Sequence, residues 1–313
     1  MFEDQRNDIQ ISFDDKVAII TGAGRGLGRG YALFLASRGA KVIVNDTGVA
    51  GNGSGRSKSS AQMVVEEIKA KGGEAAANCD SVAEIEGAQR IVKDAVKHFG
   101  AVDILINNAG ILRDKSFLKM PLEDFELVLR VHLMGSVYVT RAALPVMKEK
   151  NYGRIVMTTS IAGLFGNFGQ TNYSAAKMGI VGFMNSLKLE TERYNILINT
   201  VAPLAATELA QQTGIFPKKI FPLLSPELVT PLVAYLCSEK CKFSGDIVTA
   251  GGGYYAKAQM VEGPGIRINP RETVTPEKIA QRYDHINNMK DAVSFRNTAD
   301  ELMVSLGPLM NVS

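Results

Sequence analysis

Tyr173 and Lys177 stand four residues apart, a spacing that places a phenol and an ammonium on the same face of a helix. Ser160 precedes this pair and closely follows the β-branched segment Arg154 to Thr158, which is typical of a strand. A free phenol has a pKa of about 10, so Tyr173 acts as a base at neutral pH only where positive charge stabilises the phenolate. The three side chains therefore predict the interconversion of an alcohol and a carbonyl.

In this interpretation Tyr173 is the general acid/base and Ser160 hydrogen-bonds the substrate oxygen. Lys177 lowers the pKa of Tyr173 and holds a cofactor ribose. A tyrosine and a lysine at this spacing also occur by chance on many helices. The prediction therefore depends on further motifs in the chain.

A glycine-rich segment, Thr21 to Gly28, follows the first predicted strand and opens a helix. Glycines in such a turn let the backbone approach a pyrophosphate, which then lies on the exposed N–H groups at the helix start. The same turn also occurs as a plain connection between strand and helix, so alone it is weak support. The predicted binding residues here are Gly22, Arg25, Gly26, Leu27 and Gly28.

The second predicted strand ends in Asn45 and Asp46, where a carboxylate can accept hydrogen bonds from both hydroxyls of an adenosine ribose. The same carboxylate repels a 2′-phosphate, which favours NAD over NADP. Arg25 indicates the opposite, because a guanidinium in the glycine loop can pair with a 2′-phosphate, but it can also contact solvent or the diphosphate. Since the acidic residue discriminates more strongly, NAD is the predicted cofactor.

Two later strand ends are predicted to complete the cofactor cleft. Asp80 and Val82 are expected to hold the adenine, although Asp80 can instead cap a helix. Asn107 begins a segment whose backbone is expected to pass close to the cofactor, or it has a hydrogen-bonding role within the sheet. The further predicted contacts in this segment are Asn108, Ala109 and Gly110.

The elements that position these residues alternate between β-branched runs and stretches long enough for a helix, such as Leu27 to Ser37 and Ala83 to Phe99. This alternation predicts an α/β fold of the Rossmann type, a doubly wound, seven-stranded parallel sheet with ligands at the carboxyl ends of its strands. The predicted strands are Val17–Ile20, Lys41–Asn45, Ala75–Cys79, Val102–Ile106, Arg154–Thr158, Leu197–Val201 and Asp246–Thr249.

Two segments depart from the alternation. Gly48 to Ser57 is rich in glycine and serine and predicts a loop. Beyond Gly253 the alternation ends. The predicted organisation is therefore a cofactor-binding domain, residues 1–253, and a short helical extension, residues 254–313, that packs on the dimer or on the active site.

Composition excludes several classes of protein. The chain has 313 residues, 46% of them hydrophobic, enough for a large core. Its 35 basic and 32 acidic residues leave a net charge of +3, which disfavours a nucleic-acid partner. The three cysteines lack the spacing of a zinc site or a disulfide framework, so no metal is predicted. No apolar run approaches the roughly 18 residues that span a bilayer, so no membrane span is predicted.

Taken in order, the glycine loop, Asn107–Gly110, Ser160 and the Tyr173–Lys177 pair make the chain resemble the short-chain dehydrogenase/reductase family from Phe13 to Gly253. It is similar in particular to the (3R)-hydroxyacyl-CoA dehydrogenase units of type 2 peroxisomal multifunctional enzymes. The features behind this narrower resemblance are Asn45–Asp46, the insertion after it, Gly166–Gln170 and the tail after Gly253.

The resemblance implies NAD-dependent oxidation of (3R)-3-hydroxyacyl-CoA to 3-ketoacyl-CoA in fatty-acid β-oxidation, by a homodimer in the peroxisome. It also implies an enoyl-CoA hydratase 2 as a partner, separate or fused, because a hydratase and a sterol-carrier-like domain usually follow this unit. The chain ends in Asn311, Val312 and Ser313, which is not a peroxisomal address of the Ser-Lys-Leu type. A cytoplasmic location, and an excised unit of a longer protein, are therefore open alternatives.

The chain departs from the general family pattern at two points. His132 stands where many members have a catalytic asparagine, and a histidine there resembles the multifunctional enzymes. It either relays protons from Lys177 through water or is a buried histidine bonded to a backbone carbonyl. The usual Pro-Gly after the sixth strand is Pro203-Leu204 here, followed by Thr207, so Pro203 and Thr207 are the implied contacts to the nicotinamide carboxamide.

Other functions remain open at this point. A hydroxysteroid dehydrogenase or an NADPH-dependent 3-oxoacyl-thioester reductase shares the fold and motifs, and a catalytically silent nucleotide-binding or scaffolding protein is of a different class. Asp46 disfavours NADPH, and intact Ser160, Tyr173 and Lys177 disfavour the silent protein. Candidate residues for an acyl slot, or for ordinary packing, are Phe117, Leu164, Phe165, Phe168 and Leu204. Candidate cations for the phosphates of CoA, or for solvated surface, are Arg113, Lys115 and Lys119.

The predicted helix that carries Tyr173 has a single charge, Lys177, between Ser174 and Met184. Such a helix is expected to be buried on two sides, by the sheet and by a partner subunit. We therefore expect it and the helix around Val128 to Met147 to pack against their mates in a symmetric dimer. The alternative is a helix covered by the chain's own tail.

Overall fold

The computed structural model describes residues 10–48, 59–207 and 217–310, and most of the predicted glycine-serine loop lies outside these residues. Within them an eight-stranded sheet forms the centre of the fold. Its strands are β1 (Val17–Thr21), β2 (Lys41–Asn45), β3 (Glu74–Asn78), β4 (Ile104–Asn107), β5 (Gly153–Thr158), β6 (Ile196–Pro203), β7 (Ile247–Gly251) and β8 (Tyr254–Ala258).

The spatial order of the strands is β3-β2-β1-β4-β5-β6-β7-β8. Strands β1 to β7 pair in parallel, so the prediction of a doubly wound Rossmann-type sheet is confirmed. The order reverses between β1 and β4, which creates the crevice where ligands bind in open α/β sheets.

The eighth strand corrects the predicted count of seven. It follows β7 after only Gly252 and Gly253, whose φ angles of 58° and 81° are those of a tight hairpin turn. A two-residue connection joins antiparallel strands only, so β8 adds an antiparallel edge to the parallel sheet. In the sequence, Gly251 to Gly253 suggest that the alternation of strands and helices ends there. In the structure they form the end of β7 and the turn that returns the chain to the sheet.

Helices cover both faces of the sheet. On one face α1 contacts α2 and α8, and on the other α3 contacts α5 while α4 and α6 contact α7. The helices are α1 (Gly26–Ser37), α2 (Ser59–Ala70), α3 (Ile85–Phe99), α4 (Leu122–Leu129), α5 (Gly135–Glu149), α6 (Ile161–Phe165), α7 (Thr171–Thr191), α8 (Thr230–Cys237), α9 (Pro276–Ile286), α10 (Thr298–Ser305) and α11 (Gly307–Met310). Short 3₁₀ turns cover Phe117–Lys119, Glu192–Tyr194, Lys218–Leu223 and Pro226–Leu228.

The central strands are apolar on both faces because helices cover both. Every residue of β1 and β4 is buried, as expected for parallel strands between two helical layers. At the amino ends of these strands, the buried Asp103 accepts the Val17 N–H at 2.9 Å and pairs with Lys150. The polar contacts at the amino ends of the strands therefore stabilise the fold. The carboxyl ends are where ligands bind in this kind of sheet.

One helical stretch, Leu122–Glu149, is long and apolar enough to cross a membrane by length and composition, with a mean hydropathy of 1.2. It consists of α4, a π-helical turn at Arg130–Met134, and α5. Its side chains Val128, Val139 and Met147 are completely buried in the protein. Of the apolar window in this stretch, 39% is buried inside the protein, and a single helix of this kind is weak evidence for a membrane span.

The chain divides into two compact units, residues 1–257 and 258–313. The second unit contains α9 to α11 and an isolated bridge between Glu262 and Val293. Arg267 donates to the carbonyls of Val304 and Ser305 within it. Where this unit packs, on a dimer or on an active site, stays a prediction.

Candidate active site

The predicted site residues stand at the carboxyl edge of the sheet. The glycine loop follows β1, Asp46 follows β2, Asp80 and Val82 follow β3, and Asn108 to Gly110 follow β4. Ser160 follows β5, and Pro203 ends β6. Parallel strands end on the same side, so residues far apart in sequence come to one edge.

Ser160 and Tyr173 are held by the two helices that follow β5. Ser160 is the N-cap of α6, and its hydroxyl accepts the Ala162 N–H at 3.2 Å. Tyr173 lies in the first turn of α7, close enough to Ser160 for the Ser160 hydroxyl to lower the pKa of the phenol. The structure therefore brings together the predicted acid/base and the predicted substrate-binding hydroxyl.

Lys177 lies one turn further along α7 and is buried. Its Nζ donates to the carbonyl of Thr158 at 2.6 Å and lies 5.5 Å from the centre of the Tyr173 ring. The Thr159 hydroxyl donates to the Lys177 carbonyl at 2.7 Å, which ties α7 to the end of β5. An ammonium has three donors, so Lys177 retains capacity for a ligand.

The pKa of the Tyr173 phenol differs in direction from the expectation. The Tyr173 ring keeps some exposure, but burial raises its pKa to about 12, against the lowering effect of the Ser160 hydrogen bond. Burial also lowers the pKa of Lys177 to about 7, because a low-dielectric interior disfavours the ammonium. The positive charge expected from Lys177 is thus only partly present at neutral pH in the chain alone.

His132 occupies the π-helical turn and is 2% exposed. Its Nε2 lies 2.8 Å from the carbonyl oxygen and 3.1 Å from the amide nitrogen of Ile111, and its tautomer decides which contact is the hydrogen bond. Its ring packs edge-on against Tyr173 at 5.2 Å between centres. Burial, and then Lys177, hold the pKa of His132 well below its usual range, so the ring is neutral.

This geometry matches the alternative of a buried histidine bonded to backbone. Nδ1 of His132 is buried and has no hydrogen-bond partner among the described residues. A proton relay through this atom therefore stays a prediction. The histidine also explains one glycine, since a Cβ on Gly110 would lie 2.3 Å from Cε1 of His132.

The glycine loop is held by side chains that follow β1 and β4. The Asn108 amide donates to the carbonyls of Thr21 and Gly22 at 3.0 and 3.1 Å. The Thr21 hydroxyl accepts the N–H groups of Asn108 and Ala109. These bonds fix the loop, and they assign to Asn108 and Ala109 a positioning role.

Two glycines in the loop are required by geometry. Gly22 has a φ of 63°, in the left-handed region that favours glycine. At Gly28 a Cβ would lie 2.3 Å from the Gly22 carbonyl oxygen, so only glycine lets the first turn of α1 approach the loop. The main chain is therefore shaped to let a diphosphate reach the exposed N–H groups of α1.

The remaining predicted loop residues also lie at this edge. Arg25 is the exposed N-cap of α1, and Leu27 packs its side chain against the core. Pro203 ends β6, and a Cβ on Gly26 would meet Thr207 at 3.6 Å. Thr207 thus faces the glycine loop, although the contacts expected of Pro203 and Thr207 with a carboxamide stay predictions.

Asp46 is 8% exposed and directly contacts the glycine loop. Its Oδ2 accepts the Gly24 N–H at 2.9 Å, and its Oδ1 accepts the Gly48 N–H at 2.7 Å. The Ser60 hydroxyl, in the first turn of α2, donates to Oδ1 at 3.3 Å. The carboxylate is thus adjacent to the loop that is predicted to bind the diphosphate.

A polar network supports the same edge behind Asp46. The buried Asn78 accepts from the Asn45 amide at 2.8 Å and donates to Asp80 at 2.8 Å and to Asp94 at 2.7 Å. Asp80 also pairs with Arg90 at 2.7 Å. Asp80 is not a helix N-cap, because α3 begins after Glu84. Val82 is 7% exposed and packs against Gly135 at the start of α5.

Asn107 has a structural hydrogen-bonding role, which joins strand β4 to helix α5. It is buried, and its amide donates to the Thr140 hydroxyl of α5 at 2.9 Å. The hydroxyl of Thr158, by contrast, is buried and has no partner in the described part of the chain. Sequence reasoning missed Thr158 and Ser60, because no motif distinguishes a serine or threonine that tertiary contacts bring to a site.

The candidate substrate residues are only partly brought together. Lys115 donates its N–H to the Gly169 carbonyl at 2.9 Å, so the segments that carry Phe117 and Phe168 are neighbours. Phe117, Phe165 and Phe168 are 60%, 79% and 90% exposed, whereas Leu164 and Leu204 are half-buried. Arg113 and Lys115 lie 3.7 and 3.6 Å from the Asp124 carboxylate, and Lys119 is exposed.

Comparison with known proteins gives one family model, short chain dehydrogenase, which matches residues 16–215. The peroxisomal multifunctional enzyme type 2 of Drosophila melanogaster is 46% identical over 288 residues, 91% of this chain and 47% of that protein. A short-chain type dehydrogenase/reductase of Mycobacterium tuberculosis is 48% identical over 278 residues, 89% of this chain and 96% of that protein. This chain therefore spans about half the length of the fly relative and nearly all of the mycobacterial one.

Two solved structures are similar to this chain over most of its length. The full-length fly enzyme superposes with a TM-score of 0.81 at 39% identity, over 97% of this chain and 51% of that one. A 7α-hydroxysteroid dehydrogenase, solved with NADH and 7-oxo glycochenodeoxycholic acid, superposes with a TM-score of 0.69 at 29% identity, over 77% of this chain and 95% of that one.

Proposed function

Because this chain belongs to the short-chain dehydrogenase family, as its motifs predict, we propose that it oxidises (3R)-3-hydroxyacyl-CoA to 3-ketoacyl-CoA with NAD. The observation that carries the proposal is that Ser160 and Tyr173 are neighbours beside the buried Lys177, whose Nζ lies 5.5 Å from the centre of the Tyr173 ring, at the edge where Asp46 contacts the glycine loop. These groups suit the removal of a proton and a hydride from an alcohol.

In this proposal Ser160 orients the substrate hydroxyl, and Tyr173 as phenolate takes its proton. A bound NAD would supply the acceptor for the hydride that leaves the carbon bearing this hydroxyl. Lys177 holds the ribose with its remaining donors and, together with the positive charge of the cofactor, lowers the pKa of Tyr173 from the high value that burial imposes. The neutral His132 keeps the Tyr173 ring in place through their edge-on contact.

The residues present fit a dinucleotide. Gly22 and Gly28 let the loop after β1 and the first turn of α1 pack closely against each other and against Asn108, and the N–H groups at a helix start suit a diphosphate. Family membership supports a nicotinamide cofactor, and the choice of NAD rests on the carboxylate of Asp46 beside Gly24. A carboxylate there accepts ribose hydroxyls and repels a 2′-phosphate.

The acyl-CoA substrate is proposed from two sources. Relatives named as peroxisomal multifunctional enzymes and hydratase-dehydrogenase-epimerases support β-oxidation as the setting. The exposed rings of Phe117, Phe165 and Phe168 provide apolar surface for the acyl chain, with Lys115 and Lys119 available to the phosphates. The names of the same relatives support two further parts of the proposal, a peroxisomal location and a hydratase partner.

We further propose a homodimer built on α7. Its buried face includes Ala176, Ile180 and Met184, while Ala175 and Gly182 on its other face are exposed. A second copy of α7 packed on that face would cover the apolar helix on both sides. The cover by residues 254–313 remains the alternative.

The first experiment compares thioesters and cofactors directly. Formation of NADH is followed with (3R)- and (3S)-3-hydroxyacyl-CoA of several chain lengths, each with NAD and with NADP. Turnover restricted to the R form and at least tenfold better with NAD is expected. Absence of turnover on every thioester, together with turnover of a hydroxysteroid, would overturn the proposal in favour of a steroid substrate.

The role of Tyr173 is tested by Tyr173→Phe, which removes only the hydroxyl. The variant is expected to lose at least about a hundredfold in kcat, the usual size of a general acid/base contribution, while NADH binding measured by fluorescence is unchanged. Tyr254→Phe, at an exposed tyrosine of β8, serves as the matched control. Wild-type turnover in Tyr173→Phe would contradict the assignment.

A further inference from the structure

The carboxylate of Asp46 accepts three hydrogen bonds, and one of them comes from an element that is not adjacent to it in sequence. Gly24 N–H donates to Oδ2, Gly48 N–H donates to Oδ1, and the Ser60 hydroxyl donates to Oδ1. The first two are main-chain donors: Gly24 belongs to the neighbouring glycine loop, and Gly48 follows Asp46 by two residues. The third is a side chain from another element, α2, whose position is set by packing of that helix.

Ser60 is in contact with the glycine loop as well as with Asp46. A Cβ on Gly24 would lie 2.7 Å from both Cβ and Oγ of Ser60 and 2.8 Å from Oδ2 of Asp46. The three residues therefore form one close-packed cluster of loop, strand end and helix. Ala61, Val64 and Ile68 on the same helix are buried in the core, so Ser60 is delivered to this place by a well-packed element.

The hydrogen-bonding capacity of the carboxylate limits what it can still bind. Two oxygens offer about four acceptor sites. Donors from the described residues 10–48 and 59–207 occupy three of these sites, two on Oδ1 and one on Oδ2 beside Gly24. The acceptor position left by these donors therefore lies on the oxygen that faces the glycine loop, because the other oxygen accepts two of them.

We infer that Ser60 is a positioning residue for cofactor choice: its hydroxyl holds Oδ1 of Asp46, so that Oδ2 stays at the glycine loop to accept a ribose hydroxyl and to repel a 2′-phosphate. The inference rests on the proposed function, because it concerns the same cofactor site. Without the Ser60 hydroxyl, Oδ1 keeps only the Gly48 N–H, and the carboxylate is held by two donors instead of three. Its negative charge is then less well fixed beside Gly24.

The test is Ser60→Ala, with affinities for NADH and NADPH measured by fluorescence titration and with the KM for each oxidised cofactor. We expect NADH to bind about three- to tenfold more weakly, the size expected for a lost hydrogen bond to a partly exposed carboxylate, and NADPH to bind equally well or better. The kcat at saturating NAD is expected to remain unchanged. Ser60→Thr, which keeps the hydroxyl, is expected to restore the preference.

Two controls distinguish a role of Ser60 in positioning Asp46 from a nonspecific loss of structure. Ser12→Ala removes a serine hydroxyl that donates to Asp14 at 2.6 Å, the same chemistry at an exposed place, and is expected to leave the NADH to NADPH ratio unchanged. In a double-mutant cycle, Ser60→Ala is expected to add nothing to the loss of preference in Asp46→Asn, because it acts through that carboxylate. A merely destabilised α2 would lower the affinity for both cofactors equally.

The outcomes distinguish this inference from the function on which it rests. If the wild-type chain binds NADH and oxidises the thioester but Ser60→Ala keeps the wild-type ratio of affinities, only the role of Ser60 is overturned. Equal additional losses in the wild-type and Asp46→Asn backgrounds would also overturn it. If the wild-type chain binds neither cofactor, the proposed function is overturned and this inference with it.

Discussion

Lys177 illustrates how a single residue at the site lowers the stability of the fold. Its pKa is about 7 in the folded chain, against about 10.4 for a lysine in water. Below pH 7 both states carry the proton, and the folded state bears the full cost of a buried ammonium. Between these two pKa values only the unfolded state holds the proton, so the stability of the folded state rises with pH.

Lys177→Met is therefore expected to be more stable than the wild-type chain at pH 7, with an advantage that declines as the pH rises towards 10. The decline is expected to approach about 1.4 kcal/mol for each unit of difference between the folded and unfolded pKa, or about 5 kcal/mol in total. Urea unfolding of the chain without nucleotide, at intervals from pH 6 to about 10, measures it.

Lys93→Met, at an exposed position of α3, is the matched control and should show no such trend. A pH-independent difference between Lys177→Met and the wild-type chain would mean that Lys177 is not buried as an ammonium. The same variant is expected to lose turnover, since the stability gained comes from removing a group that the reaction uses.

At the scale of elements, the π-helical turn between α4 and α5 links these two helices to α7, which carries Tyr173 and Lys177. It carries His132, whose Nε2 meets the Ile111 backbone and whose ring packs on Tyr173. A π-turn inserts one extra residue into a helix and often marks a functional site. The segment after β4, the long helix and α7 are therefore joined through one ring.

Gly110→Ala tests this junction. An added Cβ would lie 2.3 Å from Cε1 of His132, so either the ring or the segment after β4 must shift. We expect a loss of about 1–3 kcal/mol in the free energy of unfolding, as for other overpacked interiors, and at least a tenfold loss of kcat. Urea unfolding and steady-state turnover measure the two effects.

Gly30→Ala in α1 provides the comparison, because its nearest atom, Oγ1 of Thr230, is 3.4 Å from the added Cβ. Alanine in a helix interior is expected to be neutral or to stabilise by up to about 1 kcal/mol. If Gly110→Ala behaved like Gly30→Ala, the rigid contact with His132 would be refuted.

At the scale of the whole molecule, the proposed dimer is tested by a substitution on the exposed face of α7 that does not disturb the fold of a single protomer. Gly182 lies on the exposed face of α7, and an added Cβ meets no atom within 4 Å. Gly182→Arg is thus harmless to one protomer and favourable for helix formation. We expect it to convert a dimer into a monomer of 33.8 kDa in light scattering.

Glu190→Arg, on an exposed position of the same helix, controls for the added charge. Gly182→Arg should also retain the wild-type midpoint of unfolding at concentrations where the wild-type chain is monomeric. A dimer that persists in Gly182→Arg would place the interface elsewhere on the molecule.

The fold and the family were predictable from the sequence because both depend on local spacing. Alternation of β-branched and helical runs predicted the parallel sheet, and the glycine loop with Ser160, Tyr173 and Lys177 predicted the family. The strand that followed Gly253 was missed, because glycine in a tight hairpin and glycine at the end of a domain look alike in one dimension.

What the tertiary structure decided concerns partners across sequence distance. The Ser60 contact with Asp46 and the His132 contact with Ile111 join residues that no motif relates. The directions of the Tyr173 and Lys177 pKa shifts were decided in the same way, because burial depends on all the elements packed around a group. The sequence by itself determined which chemical groups the site contains, and the packed fold determined their protonation and their partners.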